Sequence, residues 1–135
     1  MTEYSIGLMK FLDEIVLLKK ARPEWQKGLL NLPGGHVEGG ESARQCMARE
    51  WAEETGVVTQ PEEWTQRLEI LGHDYMLHVF TTFPKDRCEL RFAAEEPARW
   101  YGLSWLDYDK CVSSLRWIIP LLLDNDTTTL QIKVG

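Results

Sequence analysis

The chain has 135 residues, of which 44% are hydrophobic, and a formal net charge of −6 at pH 7. That size suits one globular domain over 1–135, and the negative balance argues against general binding of a nucleic acid polymer. No apolar run approaches membrane-spanning length, no secretory signal opens the chain, and Cys46, Cys88 and Cys111 lack metal-type spacing, so reduced thiols and a cytoplasmic location are expected.

In chain order, Tyr4 to Phe11 and Glu14 to Lys19 are apolar runs broken at Asp13, which predicts two strands joined by a tight turn. Lys19, Lys20 and Arg22 follow, with Trp25 and Lys27 close behind. They read either as a solvated basic loop or as a clamp for phosphate charge. Trp25 would stack on a base or cover the core and its rim. Leu29 to Leu32 leads into Leu32-Pro33-Gly34-Gly35, where adjacent glycines permit dihedrals closed to other residues. Asn31, just before that turn, is either a turn-stabilising amide or a side chain able to read a base edge.

Gly39-Gly40 form a second corner, after which a helix is expected until Gly56, placed where a left-handed residue ends helices. Glu50, Glu53 and Glu54 lie three and four residues apart, so they share one face. Three carboxylates packed so closely repel one another unless a cation stands between them. All-oxygen donors suit Mg²⁺, with Mn²⁺ as a substitute, better than zinc. Arg49 sits within the group, about two helical turns beyond Glu41, and is placed to tie the loop to the helix. The opposite face, with Ala43, Met47, Cys46 and Trp51, is apolar enough to pack on a sheet.

Further on, a short strand is expected at Val57 to Thr59. Glu69 to Gly72 and Met76 to Phe83 read as paired strands around a Gly72-His73-Asp74 turn. His73 and His78 are too far apart in pattern to form a ligand pair. Ala93 to Pro97 is an acidic loop, and Arg99 to Trp105 another strand. Ser113 or Ser114 would cap a helix over Leu115 to Leu123, which Pro120 should kink or restart. The tail from Thr128 to Val134 alternates polar and apolar residues, as an edge strand does.

The stretch GHVEGGESARQCMAREWAEETGV, residues 35–57, resembles the signature box of the Nudix hydrolases. Gly35, Glu41, Arg49, Glu50, Trp51, Glu53, Glu54, Gly56 and Val57 fall in the box positions in order; only Trp51 departs, standing where an aliphatic side chain is usual. The resemblance implies an α/β/α sandwich with a mixed sheet, and divalent ions held by Glu50, Glu53 and Glu54 with the Gly34 carbonyl. Glu50 is the first choice for the base and Glu53 the second, with Arg49 beside them. It also implies that Lys20 lies near the phosphates, that Asn31 and Gly35 contact the nucleotide, and that Trp117 either lines the base pocket or anchors the core. Related enzymes draw one more carboxylate from the loop before the strand at Arg99. Glu95 matches that place by its spacing to Trp100, with Glu96 as the alternative. His36 stands where the family often has lysine, and is given no catalytic role. Ser113-Ser114 replace the paired aspartates that read an oxidised purine in some relatives, so that specificity does not carry over.

A Mg²⁺-dependent hydrolase that cleaves a nucleoside triphosphate to monophosphate and pyrophosphate is therefore expected. Cleavage of ADP-ribose or a nucleotide sugar is the rival, and a nucleotide-sensing domain without catalysis is the reading from another class. The retained glutamates favour catalysis over sensing. The tail strand leaves a homodimer open.

Overall fold

The computed structural model describes residues 1–124 and 129–135. Its centre is a long strand, β1 (Thr2–Phe11), joined by a tight turn to β2 (Glu14–Lys19). The two pair antiparallel only at Lys10↔Ile15 and Phe11↔Glu14, and then diverge. The opening is filled by β4 (Gly34–His36), which runs antiparallel to β1 with Ser5↔Gly35 and Ile6↔Gly34 in register. Between them, β3 (Leu30–Asn31) leaves β2 and delivers the chain to that opening. The glycine turn expected from sequence is thus a short strand wedged into the sheet. Glycine is required there, since a Cβ on Gly34 would lie 2.7 Å from the Ile6 Cα.

On the other flank of β1 lies β6 (Tyr75–Thr82), parallel to it, and then β5 (Thr65–Leu71), antiparallel to β6. β7 (Ala98–Gly102) pairs with β2, and β8 (Leu130–Lys133) runs parallel to β5 at the outer edge. The sheet is mixed and runs β3-β2-β1-β6-β5-β8, with β4 and β7 attached to β1 and β2.

Side-chain alternation divides the core in two. Leu8, Ile15, Leu17 and Val79 face α2 (Leu115–Leu123), which buries Leu115, Ile118, Ile119 and Leu122 against them. Met9, Val16, Leu18 and Phe80 face the other way, onto Met47 and Trp51 of α1 (Ala43–Thr55). Because both faces are covered, the strands read as nearly continuous apolar runs. This is the α/β/α sandwich with a mixed sheet that the sequence predicts.

α1 begins with a capping box: the Ser42 hydroxyl accepts from the Gln45 amide and the Gln45 side chain accepts from Ser42 N–H. It ends on Gly56 at φ +78°. Trp51 is fully buried, with its ring centroid 5.3 Å from that of Trp64. The two indoles fit over β1 because position 7 is glycine; a Cβ there would lie 2.6 Å from Trp64 Cζ3 and 2.7 Å from Met47 Sδ.

Several boundaries differ from expectation. Val57 to Thr59 is not a strand; Val57 is buried, its amide donates to Thr55 Oγ1, and a 3-10 turn follows at Pro61–Glu63. β5 begins at Thr65 rather than Glu69, because a register shift between Gln66 and Leu68 breaks the alternation on which the earlier boundary rests. The strand expected to reach Trp105 stops at Gly102, and Leu103–Trp105 turn in a 3-10 helix. α2 continues through Pro120: both Pro120 and Arg116, whose carbonyl loses a donor, are exposed, so water can take the missing place. Ser114 occupies the cap position without a side-chain hydrogen bond. Thr128, the first residue of the expected tail strand, lies outside the described residues.

Candidate functional site

The box brings β4 and α1 together. Gly34 N–H donates to Glu54 Oε1 at 2.7 Å, and Gly35 lies directly beneath Glu50, where a Cβ would be 2.8 Å from Oε2. Ser5 Oγ donates to the Ala43 carbonyl at 2.8 Å, fixing the start of the helix to β1. The glycine strand and two glutamates from successive turns therefore face one space.

Arg49 organises the charge around that space. Its Nε donates to Glu41 Oε2 at 3.0 Å and its Nη2 to Glu41 Oε1 at 2.7 Å, while Nη1 reaches Glu50 Oε1 at 3.0 Å and Glu53 at 3.3 Å. Nη2 also donates to the His36 carbonyl. The pairing of Arg49 with Glu41 is the tie expected from sequence. The cation between Glu50 and Glu53 is here the guanidinium itself.

Electrostatics differ sharply among the four glutamates. The Arg49 guanidinium holds Glu41 down at about 2. Burial raises Glu50 above the usual carboxylate range, against the pull of Arg49. Burial also pushes Glu54 up to about 7, although the Gly34 amide and Lys20 favour its charged form. Glu53 is largely exposed and rests against Arg49.

A hard divalent cation fits this donor set in its chemistry. Every candidate donor is oxygen, and Glu50 Oε2 and Glu54 Oε2 accept no hydrogen bond from the described residues. Among the described residues, three or more acidic, His or Cys side chains do not yet close on an ion-sized space. Arg49 occupies the gap between Glu50 and Glu53, so full use of Glu53 requires that side chain to swing away from the guanidinium.

Across the space stands the end of β2. Lys20 Nζ lies 3.4 Å from Glu96 Oε2, and the same oxygen accepts from the Ala21 amide at 2.8 Å. Burial works to raise Glu96, but the Ala21 amide and Lys20 outweigh it and hold the carboxyl below its ordinary value. Glu54 feels the charge of both Lys20 and Glu96, so all three share one environment. Glu95, the better match by spacing, is instead exposed and paired with Arg22 at 3.4 Å. Spacing to Trp100 could not distinguish the neighbours, because adjacent residues in an irregular segment point apart.

The remaining expected residues are not all turned to the site. Asn31 is engaged within its own loop: Oδ1 accepts from Leu32 N–H at 2.8 Å and Nδ2 donates to Gln26 Oε1 at 3.1 Å. Trp117 is 39% exposed and Trp25 67% exposed, so neither anchors the core. Each sits where its helix or turn presents it to solvent. The His36 ring lies against Tyr4, tilted by 40°, with ring centroids 4.6 Å apart. The buried Cys46 thiol, pushed up to about 11 by burial, is chemically quiet at neutral pH. A cavity of about 560 Å³ beside Val58, Thr82, Phe83 and Cys88 has none of Lys20, Glu50, Glu54 or Glu96 in its wall.

A mixed sheet thus lies between two helices, with a glycine strand under a helix of glutamates. The NUDIX domain family model matches residues 2–122. The chain is 32% identical over 114 residues to the putative 8-oxo-dGTP diphosphatase 2 of Mycobacterium tuberculosis, covering 79% of this chain and 78% of that protein. It is 30% identical over 113 residues to the NAD-capped RNA hydrolase NudC of Stutzerimonas stutzeri, covering 82% of this chain but only 40% of that longer protein. A crystal structure of the MutT protein from Bacillus halodurans aligns over 100% of this chain and 91% of its own, with a TM-score of 0.77 at 20% identity. The chain belongs to the Nudix family. Members of that family generally use divalent metal ions. No helix among the described residues is long and apolar enough to cross a membrane.

Proposed function

We infer that residues 1–135 act as a single domain that hydrolyses a nucleoside triphosphate to the monophosphate and pyrophosphate. The observation that carries this reading is the placement of Glu50 and Glu54 over Gly34-Gly35, each with one carboxylate oxygen not hydrogen-bonded by the described residues. Glu50, Glu53, Glu54, Glu96 and the Gly34 carbonyl would hold Mg²⁺, or Mn²⁺ in its place, which would supply neutralisation of phosphate charge and a lowered water pKa. Glu96 takes the place that spacing assigns to Glu95, since only Glu96 shares the environment of Glu54.

Glu50 accepts the proton of the attacking water. Its largely buried carboxyl, seated over Gly35 inside the site, is better placed than the exposed Glu53. The water oxygen bonds to phosphorus as the anhydride P–O bond breaks, and pyrophosphate leaves with the electron pair. Lys20 contributes positive charge to the phosphates, and Arg49 holds Glu50 oriented while it is fixed by Glu41. Gly35 lets the substrate approach the backbone closely, as an alanine there would collide with Glu50 before any ligand arrived.

Nucleoside diphosphate derivatives such as ADP-ribose form a second reading. The engagement of Asn31 with Leu32 and Gln26 favours it, because the amide expected to read a base is satisfied inside its own loop. Incubation with a nucleotide panel, with and without Mg²⁺, separates the two. Pyrophosphate release supports the first reading, AMP with ribose phosphate supports the second, and tight binding without products overturns both.

A further inference from the structure

Between Thr82 at the end of β6 and Ala98 at the start of β7, residues 83–97 form neither helix nor strand. This segment nevertheless follows a fixed course, tied down at three points. First, Arg87 Nε donates to Glu14 Oε1 at 2.9 Å, its guanidinium lies 5.1 Å from the Trp100 ring, and Trp100 Nε1 donates to the Cys88 carbonyl at 3.0 Å. Last, Glu96 is held by the Ala21 amide and Lys20.

The middle tie is Arg91, and it falls on α1. The Arg91 amide donates to the Thr55 carbonyl at 2.8 Å, and its Nη2 donates to the Glu53 carbonyl. Those carbonyls belong to the last turn, where they find no donor within the helix and carry the negative end of its dipole. Gly56 forms the bed for this contact, because a Cβ there would lie 2.7 Å from Arg91 Cβ. The box glycine thus both ends the helix in a left-handed conformation and admits the backbone of the crossing segment.

Only residues 92–95 separate the Arg91 tie from Glu96. The carbonyl that Arg91 grips belongs to Glu53, next to Glu54, and the Glu54 carboxyl feels Glu96 across the site. The segment therefore connects the two walls of one space, helix carboxylates on one side and a loop carboxylate on the other. We propose that Arg91 is a positioning residue, which fixes Glu96 relative to Glu50 and Glu54 by clamping residues 83–97 to the C-terminal turn of α1. It rests on the reading of the site given under the proposed function, and it acts through Glu96 without touching substrate.

The effect on turnover follows from geometry. A misplaced carboxylate loses its contribution to the transition state, while binding of the nucleoside portion is untouched. Arg91→Ala is expected to lower kcat by about tenfold and to leave KM within about twofold. Arg91→Lys retains one cationic donor and should recover part of the loss. In a double-mutant cycle, Arg91→Ala combined with Glu96→Gln should be no slower than Glu96→Gln alone, since both changes remove the same interaction.

A readout independent of turnover comes from the metal-free protein. The Ala21 amide is protected only while Glu96 is docked on it, so amide exchange at Ala21 should accelerate about fivefold or more in Arg91→Ala. Unchanged exchange at Ala21, or additive losses in the cycle, overturns the positioning role. So does a kcat loss that vanishes when the variant is assayed well below its melting temperature, because general destabilisation would then explain it. Exchange at Ala21 remains decisive even if Glu50→Gln were to retain full turnover, a result that defeats the site reading alone.

Discussion

Gly35 and Glu50 are packed so closely that a Cβ at position 35 would lie 2.5 Å from the Glu50 carboxyl carbon. The neighbour that would have to yield is the end of a side chain, so Gly35→Ala should fold. The displaced carboxylate should then cost about tenfold or more in kcat, with a melting temperature within a few degrees of the parent. Gly34→Ala meets the Ser5 and Ile6 backbone instead, and should lose soluble folded protein. Paired thermal melts and rate measurements on the two alanine variants check this contrast.

Glu41 and Arg49 form a tie whose strength depends on acid. The folded-state carboxyl lies at about 2, below its usual value of 4.5. An acid held low in the folded state stabilises the protein fully above its unfolded pKa, and that stability is lost as pH falls from about 4.5 towards 2. Glu41→Gln should therefore be less stable by about 1–2 kcal/mol at pH 7, and the gap should close as pH approaches 2. Urea unfolding of both proteins across that range measures the closure.

Trp51 belongs to the core and not to the chemistry. It is fully buried against Trp64 over Gly7. Trp51→Leu should cost about 2–4 kcal/mol through the space it leaves, with kcat per folded molecule changed less than about threefold. Gly7→Ala should be destabilising by about 1–3 kcal/mol through overpacking, and less so in the Trp51→Leu background. Chemical denaturation of the two single variants and the double variant tests the coupling.

Lys20 offers a charge test. It is paired with Glu96 at the end of β2, and its charge also acts on Glu54. Lys20→Ala should lower kcat/KM about tenfold or more, mainly through KM, and Lys20→Arg should recover much of it. Steady-state kinetics at several ionic strengths checks the expectation.

The signature box was legible because its residues act locally: glutamates at helical spacing, a pairing arginine, and a glycine at the helix end. The β1–β2 hairpin was legible for the same reason, since its apolar runs and its turn are contiguous. What escaped depends on distant partners. Glu95 and Glu96 are neighbours, and only the end of β2 decides which one turns inward. Arg91 carries no sequence signal, because its partners are carbonyls some thirty-six residues earlier. The need for glycine at position 7 comes from two indoles, Trp51 and Trp64, that reach it from elsewhere in the chain. The start of β5 was hidden by its irregular register, and Asn31 by a Gln26 side chain that closes only in the folded loop.

Binding of Mn²⁺ in the presence of a non-hydrolysable nucleoside triphosphate, followed by electron paramagnetic resonance, tests the role of the helix carboxylates most directly. The expected result is at least one ion bound per chain in the parent, with affinity reduced about tenfold or more in both Glu50→Gln and Glu54→Gln. Equal ion binding in the parent and in both folded variants would contradict it.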